Sequence, residues 1–205
     1  MPATKGNTRE ALLDAAEELF SSRGIDEVTV AAITERAGQQ NSGAIHYYFG
    51  GRDGLLAAIL DRHEAVLDEV RTDALVELRR SGSVTVEALL RVIIESLAGQ
   101  LDSASGRAFL AIQRHRLLHS GGSWAFRSKT VRLIAAEVEA ILRESGLDEQ
   151  LKVERFRLGT QLVIHRLADL SREEGSGSAA PRTLVIETLV SAATSILTAE
   201  PARER

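Results

Sequence analysis

The fold is decided by residues 28–51, VTVAAITERAGQQNSGAIHYYFGG, which read as two short helices joined by a turn. Thr29 is a typical helix N-cap residue, and apolar residues follow it at helical spacing. Gly38 is a stop signal for that first helix, and residues 41–49 can supply the second. This order of elements predicts a helix-turn-helix unit.

The turn and the second helix have a composition that suits contact with DNA. Residues 37–51 contain no Asp, Glu, Lys or Arg, so no carboxylate there opposes the dense negative charge of a duplex. Amide side chains can pair with adenine edges, and phenol hydroxyls can donate to phosphate oxygens. A solvated connection followed by core aromatics is the alternative interpretation of the same residues.

The rest of the chain predicts an all-α protein of about nine helices. No proline lies between residues 3 and 180, and no segment alternates apolar and polar residues long enough to require a strand. One long helix is predicted over 52–80, with Val66 and Val70 among its inward-facing apolar residues. Asp148 is expected to cap a later helix. The change from short to long helices predicts a DNA-binding domain over 1–51 and a second domain over 52–205.

Composition excludes several classes of protein. The chain has no cysteine, which excludes disulfides and thiolate metal sites. No apolar run is long enough to span a membrane, and the first residues lack the apolar core of a signal peptide, so we expect a cytoplasmic protein. Residues 1–54 hold five Lys or Arg and eight Asp or Glu. DNA binding therefore has to rest on local placement of groups and not on bulk charge.

Two longer stretches resemble the N-terminal domain of TetR-family transcriptional regulators. They are TREALLDAAEELFSSRGIDEVTVAAITERAG, residues 8–38, and HYYFGGRDGLLAAIL, residues 46–60. The resemblance implies a DNA-binding regulator, commonly a repressor, that binds a palindromic operator as a homodimer and is released by a small-molecule effector. The interval from Gly38 to Phe49 is one residue longer than is usual in the family. Because of that difference, the sequence does not decide which residues of the turn reach the bases.

The resemblance and the residue chemistry together give a set of expected DNA contacts. Phosphate contacts are expected from Thr29 at the start of the first short helix, from Arg52, and from the ring-bearing residues before Phe49. Base reading is expected from the turn. The full set is Thr29, Gln39, Gln40, Asn41, Ser42, Gly43, His46, Tyr47, Tyr48 and Arg52.

The larger C-terminal part is expected to form the dimer and to bind the effector. By the resemblance, two final helices of each subunit pair in a four-helix interface, here involving Leu184, Thr188, Leu189, Ala192 and Ile196. A buried core helix would have the same apolar stripe. An apolar wall with a few polar groups suits a small-molecule pocket. The candidates for its lining are Phe109, His115, Trp124, Phe126, Phe156, Gln161 and His165.

A helical small-molecule-binding protein or an enzyme without DNA binding is the alternative function. His115 and His119 stand four residues apart, as two metal ligands on one helix would. Arginines flank them and no carboxylate is near, so we expect no metal site. No nucleophile motif and no phosphate-binding glycine loop after a strand occurs, so we expect no cofactor and no enzyme.

Overall fold

The computed structural model describes residues 5–41, 43–119, 127–143 and 147–200. Over these ranges the chain forms nine α-helices, one short 3-10 turn at Gly99–Asp102 and no strand, which confirms the all-α prediction. The helices are α1 Lys5–Arg23, α2 Val30–Arg36, α3 Gly43–Phe49, α4 Arg52–Ser81, α5 Val86–Ala98, α6 Ala104–His119, α7 Lys129–Leu142, α8 Glu149–Ser176 and α9 Arg182–Thr198.

The first three helices surround a small apolar core. Leu12, Phe20, Ile33 and Ile45 contribute side chains that are at most 1% exposed. Thr29 is the N-cap of α2 as predicted, and its Oγ1 accepts a hydrogen bond from the Ala32 amide at 3.2 Å. The helix ends because Ala37 has a non-helical ψ of 1° and Gly38 adopts a φ of 65°. These local signals produce the helix-turn-helix geometry.

The long helix α4 differs from the prediction in the face that it buries. Val66 and Val70 were expected inside, but they are 57% and 52% exposed, so that part of the prediction is wrong. The buried positions one residue further along belong instead to Leu67 and Arg71, with His63 one turn before them. Two polar residues therefore occupy core positions of α4, which a search for apolar residues cannot find.

The last two helices run antiparallel and pack against each other. Arg155 near the start of α8 donates to the carbonyl of Leu197 near the end of α9, at 3.3 Å. At the other end of the pair, Arg182 forms two hydrogen bonds of 2.9 Å with Glu174. Asp148 caps α8 as predicted, through the amides of Gln150 and Leu151.

The start of α7 is fixed by a serine. Arg127 and Ser128 are not helical, and Ser128 is the N-cap of α7. Its Oγ accepts from the amide of Val131 at 2.9 Å. The serine ends the preceding connection because its hydroxyl satisfies an otherwise unpaired amide of the first turn.

Candidate functional site

The turn between α2 and α3 presents its amide side chains unequally. The Nε2 of Gln39 donates to the carbonyl of Ala37 at 3.3 Å, so this amide is partly engaged within the turn. Asn41 accepts a hydrogen bond from the amide of Gly43 through Oδ1, at 2.8 Å, and so caps α3. Gln40 is exposed. Because bidentate pairing with adenine needs both atoms of an amide, Gln40 is better placed for it than Asn41. Ser42 lies outside the described residues.

The helix α3 divides its side chains between the core and the surface. Ile45 is buried, whereas His46 and Tyr47 are exposed, Tyr47 to 72%. Tyr48 is half-buried and meets the ring of Tyr47 edge to face, with 5.0 Å between centroids. The aromatic cluster thus seals the core on one side and offers the imidazole of His46 and the hydroxyl of Tyr47 to an outside partner.

Arg52 makes contacts that the sequence prediction did not anticipate. Its Nε donates to the carbonyl of Val28 at 3.1 Å, and its guanidinium lies over the ring of Phe20 at 5.6 Å. Its Nη2 is buried and has no hydrogen-bond partner among the described residues. In this conformation Arg52 connects the start of α4 to Val28, two residues before α2 begins. Because α3 lies between these two points in the chain, the contact helps to fix the position of α3.

Arg9 is a candidate that sequence reasoning missed. It lies in the first turns of α1, and its guanidinium stands 5.3 Å from the ring centroid of Phe49, at the end of α3. The side chain is 44% exposed. The separation of forty positions between Arg9 and Phe49 hides this proximity from any local pattern, so only the fold brings a cation beside α3.

A buried polar cluster joins α1 to α4 and α6. Glu17 is 4% exposed and contacts Arg62, His63 and Ser105. Burial alone would raise the pKa of Glu17, but hydrogen bonds from His63, Ser105 and Arg62 outweigh it and lower that pKa below its ordinary value. The cluster holds a charged carboxylate between the first helix and the two helices behind it.

A second polar contact joins α4 to the start of α7. The carboxylate of Asp68 accepts from the backbone amides of Lys129 at 3.0 Å and Thr130 at 3.2 Å, and also from the hydroxyl of Ser128. Burial would raise the pKa of Asp68, but these three donors lower it. A carboxylate at a helix N-terminus is also favoured by the helix dipole.

The predicted pocket residues are dispersed in the structure. Phe156 lines an apolar cavity of about 70 Å³ between α5, α7, α8 and α9. Phe109 is fully buried and stacks on His63 at 4.6 Å, while the ring of His115 lies 3.2 Å from where a Cβ on Gly24, just after α1, would stand. Gln161 and His165 are also absent from the lining of this cavity. Trp124 and Phe126 lie outside the described residues.

The predicted dimer residues fall on two faces of α9. Leu184 is 59% exposed and Thr188 is exposed, whereas Leu189 is only 3% exposed and packs in the core of its own chain. Ala192 and Ile196 are half-buried. Leu189 therefore lies one residue away from the exposed stripe, and its place in a dimer interface stays a prediction. That stripe consists of Leu184, Thr188, Ser191 and Ser195.

The helix-turn-helix geometry agrees with a known family of proteins. Residues 12–59 match the family model described as "Bacterial regulatory proteins, tetR family". The N-terminal part of this chain is a TetR-family domain. The match covers α1 to α3 and the first turns of α4, which are the elements that position the turn and α3.

The proteins that this chain resembles in sequence are transcriptional regulators. The HTH-type regulator BetI of Cronobacter sakazakii is 32% identical over 104 residues, 50% of each chain. An uncharacterized HTH-type regulator of Mycobacterium tuberculosis is 28% identical over 189 residues, 88% of this chain and 83% of the relative. The chain thus spans about half the length of the BetI relatives that it matches.

The solved structures show that the fold extends over the whole chain. NalD, the secondary repressor of the MexAB-OprM multidrug efflux pump in Pseudomonas aeruginosa, superposes with a TM-score of 0.60 at 18% identity, covering 97% of this chain and 100% of NalD. The fatty acid degradation regulator FadR from Bacillus halodurans gives 0.57 at 16% identity, covering 99% and 100%. These proteins and the sequence relatives are regulators and not enzymes.

Two observations complete the description of possible sites. Among the described residues, no group of three His, Asp or Glu side chains could hold a metal ion. Within the same ranges no helix has the length and apolar character needed to cross a membrane.

Proposed function

We propose that this protein is a cytoplasmic transcriptional repressor that binds a palindromic operator as a homodimer and releases it when a small molecule binds the C-terminal helices. One observation carries the proposal. The exposed side chains of the turn and α3 are amide, imidazole and phenol groups without a carboxylate among them, on a TetR-family helix-turn-helix.

In this proposal the side-chain amide of Gln40 makes the main contact with base edges. The Nδ2 of Asn41 can donate a further hydrogen bond to a base, and the absence of a side chain at Gly43 lets the DNA come close to the start of α3. Phosphate contacts come from the hydroxyls of Thr29 and Tyr47 and from His46. Arg9 adds a cation next to α3 that compensates for the internal contacts of Arg52. Few formal charges take part, so one domain alone binds weakly and a second copy raises the affinity.

Dimer formation in the proposal uses the exposed stripe of α9 together with α8. Leu158 on α8 is 52% exposed, and Leu184 on α9 is 59% exposed. The hydroxyl side chains at 188, 191 and 195 are short, so a partner helix can approach closely along α9. A two-fold axis here places two helix-turn-helix units on successive turns of one duplex face.

Effector release in the proposal follows the contacts of α4 and α6. The helix α4 starts where α3 ends, and it also holds the start of α7 through Asp68. The helix α6 reaches α1 through Ser105 and Glu17. A ligand that shifts either helix changes the separation of the two DNA-reading units.

The test begins with selection of bound fragments from a random duplex library by the full-length protein. We expect a palindrome, with affinity that falls as salt rises by a log–log slope of about −0.9 per phosphate neutralised. Gln40→Ala should weaken binding to the selected palindrome by about tenfold or more, since a good base contact contributes about 1–3 kcal/mol.

Gln150→Ala provides the matched control, because Gln150 is exposed at the start of α8, far along the chain from the turn. This substitution removes a side-chain amide of the same type and should leave the affinity for the operator unchanged. If no sequence is enriched by a folded dimeric sample at low salt, or if Gln40→Ala behaves as its control does, the proposed mode of DNA reading is wrong.

A further inference from the structure

The apolar cavity next to Phe156 adjoins a second cavity of different chemistry. The first is lined by side chains such as Ile134, Val138 and Val163. The second has a volume of about 60 Å³. Both are lined by Ile93, Leu97, Val131 and Thr160, so the two adjoin along these four residues.

The second cavity is rich in positive charge. Three guanidinium groups and one carboxylate line it, and the polar lining is completed by an amide and two hydroxyls. Arg127 is paired with Asp61, which lies outside the lining, so two further guanidinium groups stand against one carboxylate and favour a ligand that brings a negative charge. The polar residues of the lining are Arg71, Arg116, Arg127, Glu64, Gln113, Ser128 and Thr160.

Arg71 is the most deeply placed of these groups, at 1% exposure. Its Nε donates to the hydroxyl of Ser96 at 2.8 Å, and its Nη1 donates to Glu64 at 2.9 Å and to Ser128 at 3.3 Å. Its Nη2 has no hydrogen-bond partner among the described residues. The guanidinium of Arg71 is held in place by these three partners, and its Nη2 can still donate hydrogen bonds to a planar anion such as a carboxylate.

Arg116 adds a second cation on the facing helix α6. Its Nε donates to Gln113 at 3.0 Å, and Gln113 in turn reaches Glu64 at 3.5 Å. Burial lowers the pKa of Arg116 below its ordinary value; the nearby Glu64 opposes this effect and Arg127 reinforces it. An added negative charge would stabilise the protonated guanidinium in this position.

The size of the space limits the ligand. At about 10–15 Å³ for each water-sized group, the two cavities together hold on the order of ten non-hydrogen atoms. The apolar cavity offers no charged side chain, so the body of the ligand has to be hydrocarbon.

We infer that the effector is a small carboxylic acid with an apolar body, whose carboxylate binds between Arg71 and Arg116 and whose body fills the cavity beside Phe156. This inference rests on the proposed function only in calling the ligand an effector. Binding of such an acid engages α4 through Arg71 and α6 through Arg116, and both of these helices contact α1.

The test uses calorimetric titration of the full-length protein, without DNA, with three probes of equal chain length: octanoate, octan-1-ol and octylamine, each below its aggregation limit. Hexanoate and decanoate test the size limit. We expect octanoate to bind at least about tenfold more tightly than octan-1-ol, because a hydrogen bond to a charged group contributes more than a neutral one, and octylamine to bind more weakly still.

Two variants locate the two ends of the ligand. Arg116→Gln should weaken octanoate by about tenfold or more while leaving octan-1-ol unchanged, and Phe156→Trp should weaken both probes by filling the apolar cavity. Arg80→Gln is the matched control, because Arg80 is exposed on α4 and pairs only with Glu77 among the described residues. Arg71→Lys is a further variant that keeps the charge but loses the planar fork.

The outcomes separate this inference from the proposed function. Equal affinity for octanoate and octan-1-ol, no binding by any of the acids, or an Arg116→Gln variant that binds octanoate normally would each overturn the assignment of the ligand class, even if an operator has been found. If octanoate binds as expected but operator affinity does not change, the ligand class holds and effector release is wrong.

Discussion

Gly54 on α4 lies against the backbone of Phe49 at the end of α3: a Cβ at residue 54 would stand 1.7 Å from the carbonyl oxygen of Phe49. No side chain fits in this space, so the angle between α3 and α4 depends on a glycine. The motif GGRDGLL at residues 50–56 therefore contains one glycine whose role is close approach and not a turn.

Gly54→Ala should push α4 away from α3 and lower the free energy of unfolding by about 1–3 kcal/mol, the usual effect of overpacking. Chemical denaturation monitored by circular dichroism measures this, and operator affinity should fall as well because α3 is displaced. Gly175→Ala is the control: Gly175 is helical, exposed and without close neighbours, so the same change should stabilise the protein by about 0.5–1 kcal/mol. Equal stability of the two variants would contradict the close contact.

Asp68→Asn should weaken the attachment of α7 to α4. Loss of a charged cap typically costs about 1 kcal/mol, measurable as a lower free energy of unfolding at pH 7. The folded-state pKa of Asp68 is lowered, so its stabilising effect is fully present above the ordinary carboxyl pKa of about 4 and is lost as the pH falls through the lowered value. The difference between parent and variant should therefore shrink in acid. Asp73→Asn, on the exposed face of the same helix, should show no such difference.

Glu17→Gln should destabilise the junction between α1, α4 and α6. The carboxylate is almost fully buried with three polar partners, and leaving such groups unsatisfied costs about 1–3 kcal/mol. The neighbouring Glu18 is exposed and pairs with Arg36 at 2.6 Å, so Glu18→Gln should change the free energy of unfolding by less than about 0.5 kcal/mol. Thermal unfolding of both variants tests the contrast, and a Glu17→Gln protein as stable as Glu18→Gln would rule out a structural role for the cluster.

Leu184→Glu should separate the proposed dimer without unfolding the monomer. Leu184 is 59% exposed in the single chain, so the charge is solvated there but would be buried and unpaired in a dimer interface. Sedimentation velocity should show the monomer mass, while circular dichroism should show unchanged helix content. Val76→Glu makes the same kind of change at a 58% exposed residue of α4 and should leave the dimer intact. Loss of the dimer in both variants would place the interface elsewhere.

Local signals in the sequence predicted the helix starts well. Thr29 and Asp148 are N-caps in the structure because each side chain satisfies amides of its own first turn, which requires no distant partner. The buried face of α4 was harder to predict, because the polar residues His63 and Arg71 are buried through contacts with other helices.

The candidate pocket could not be predicted from residue type. Arg71 and Arg116 look like solvated charges in the sequence, and only the packing of α4, α5, α6 and α7 places them around one cavity. Aromatic and histidine side chains were chosen for the pocket because they often line such sites, but Phe109 and His115 instead contact α4 and the end of α1. Sequence patterns report the neighbours of a residue along a helix and not those across the fold.

The pairing of Arg71 with Glu64 has a consequence for how such a regulator would read its environment. The site already contains a carboxylate, two helix turns away on the same α4. An incoming acid of the proposed class binds next to this fixed negative charge, which lowers the affinity of the site for anions. Under the proposed function, the Glu64 carboxylate therefore sets how concentrated the acid has to be before it acts.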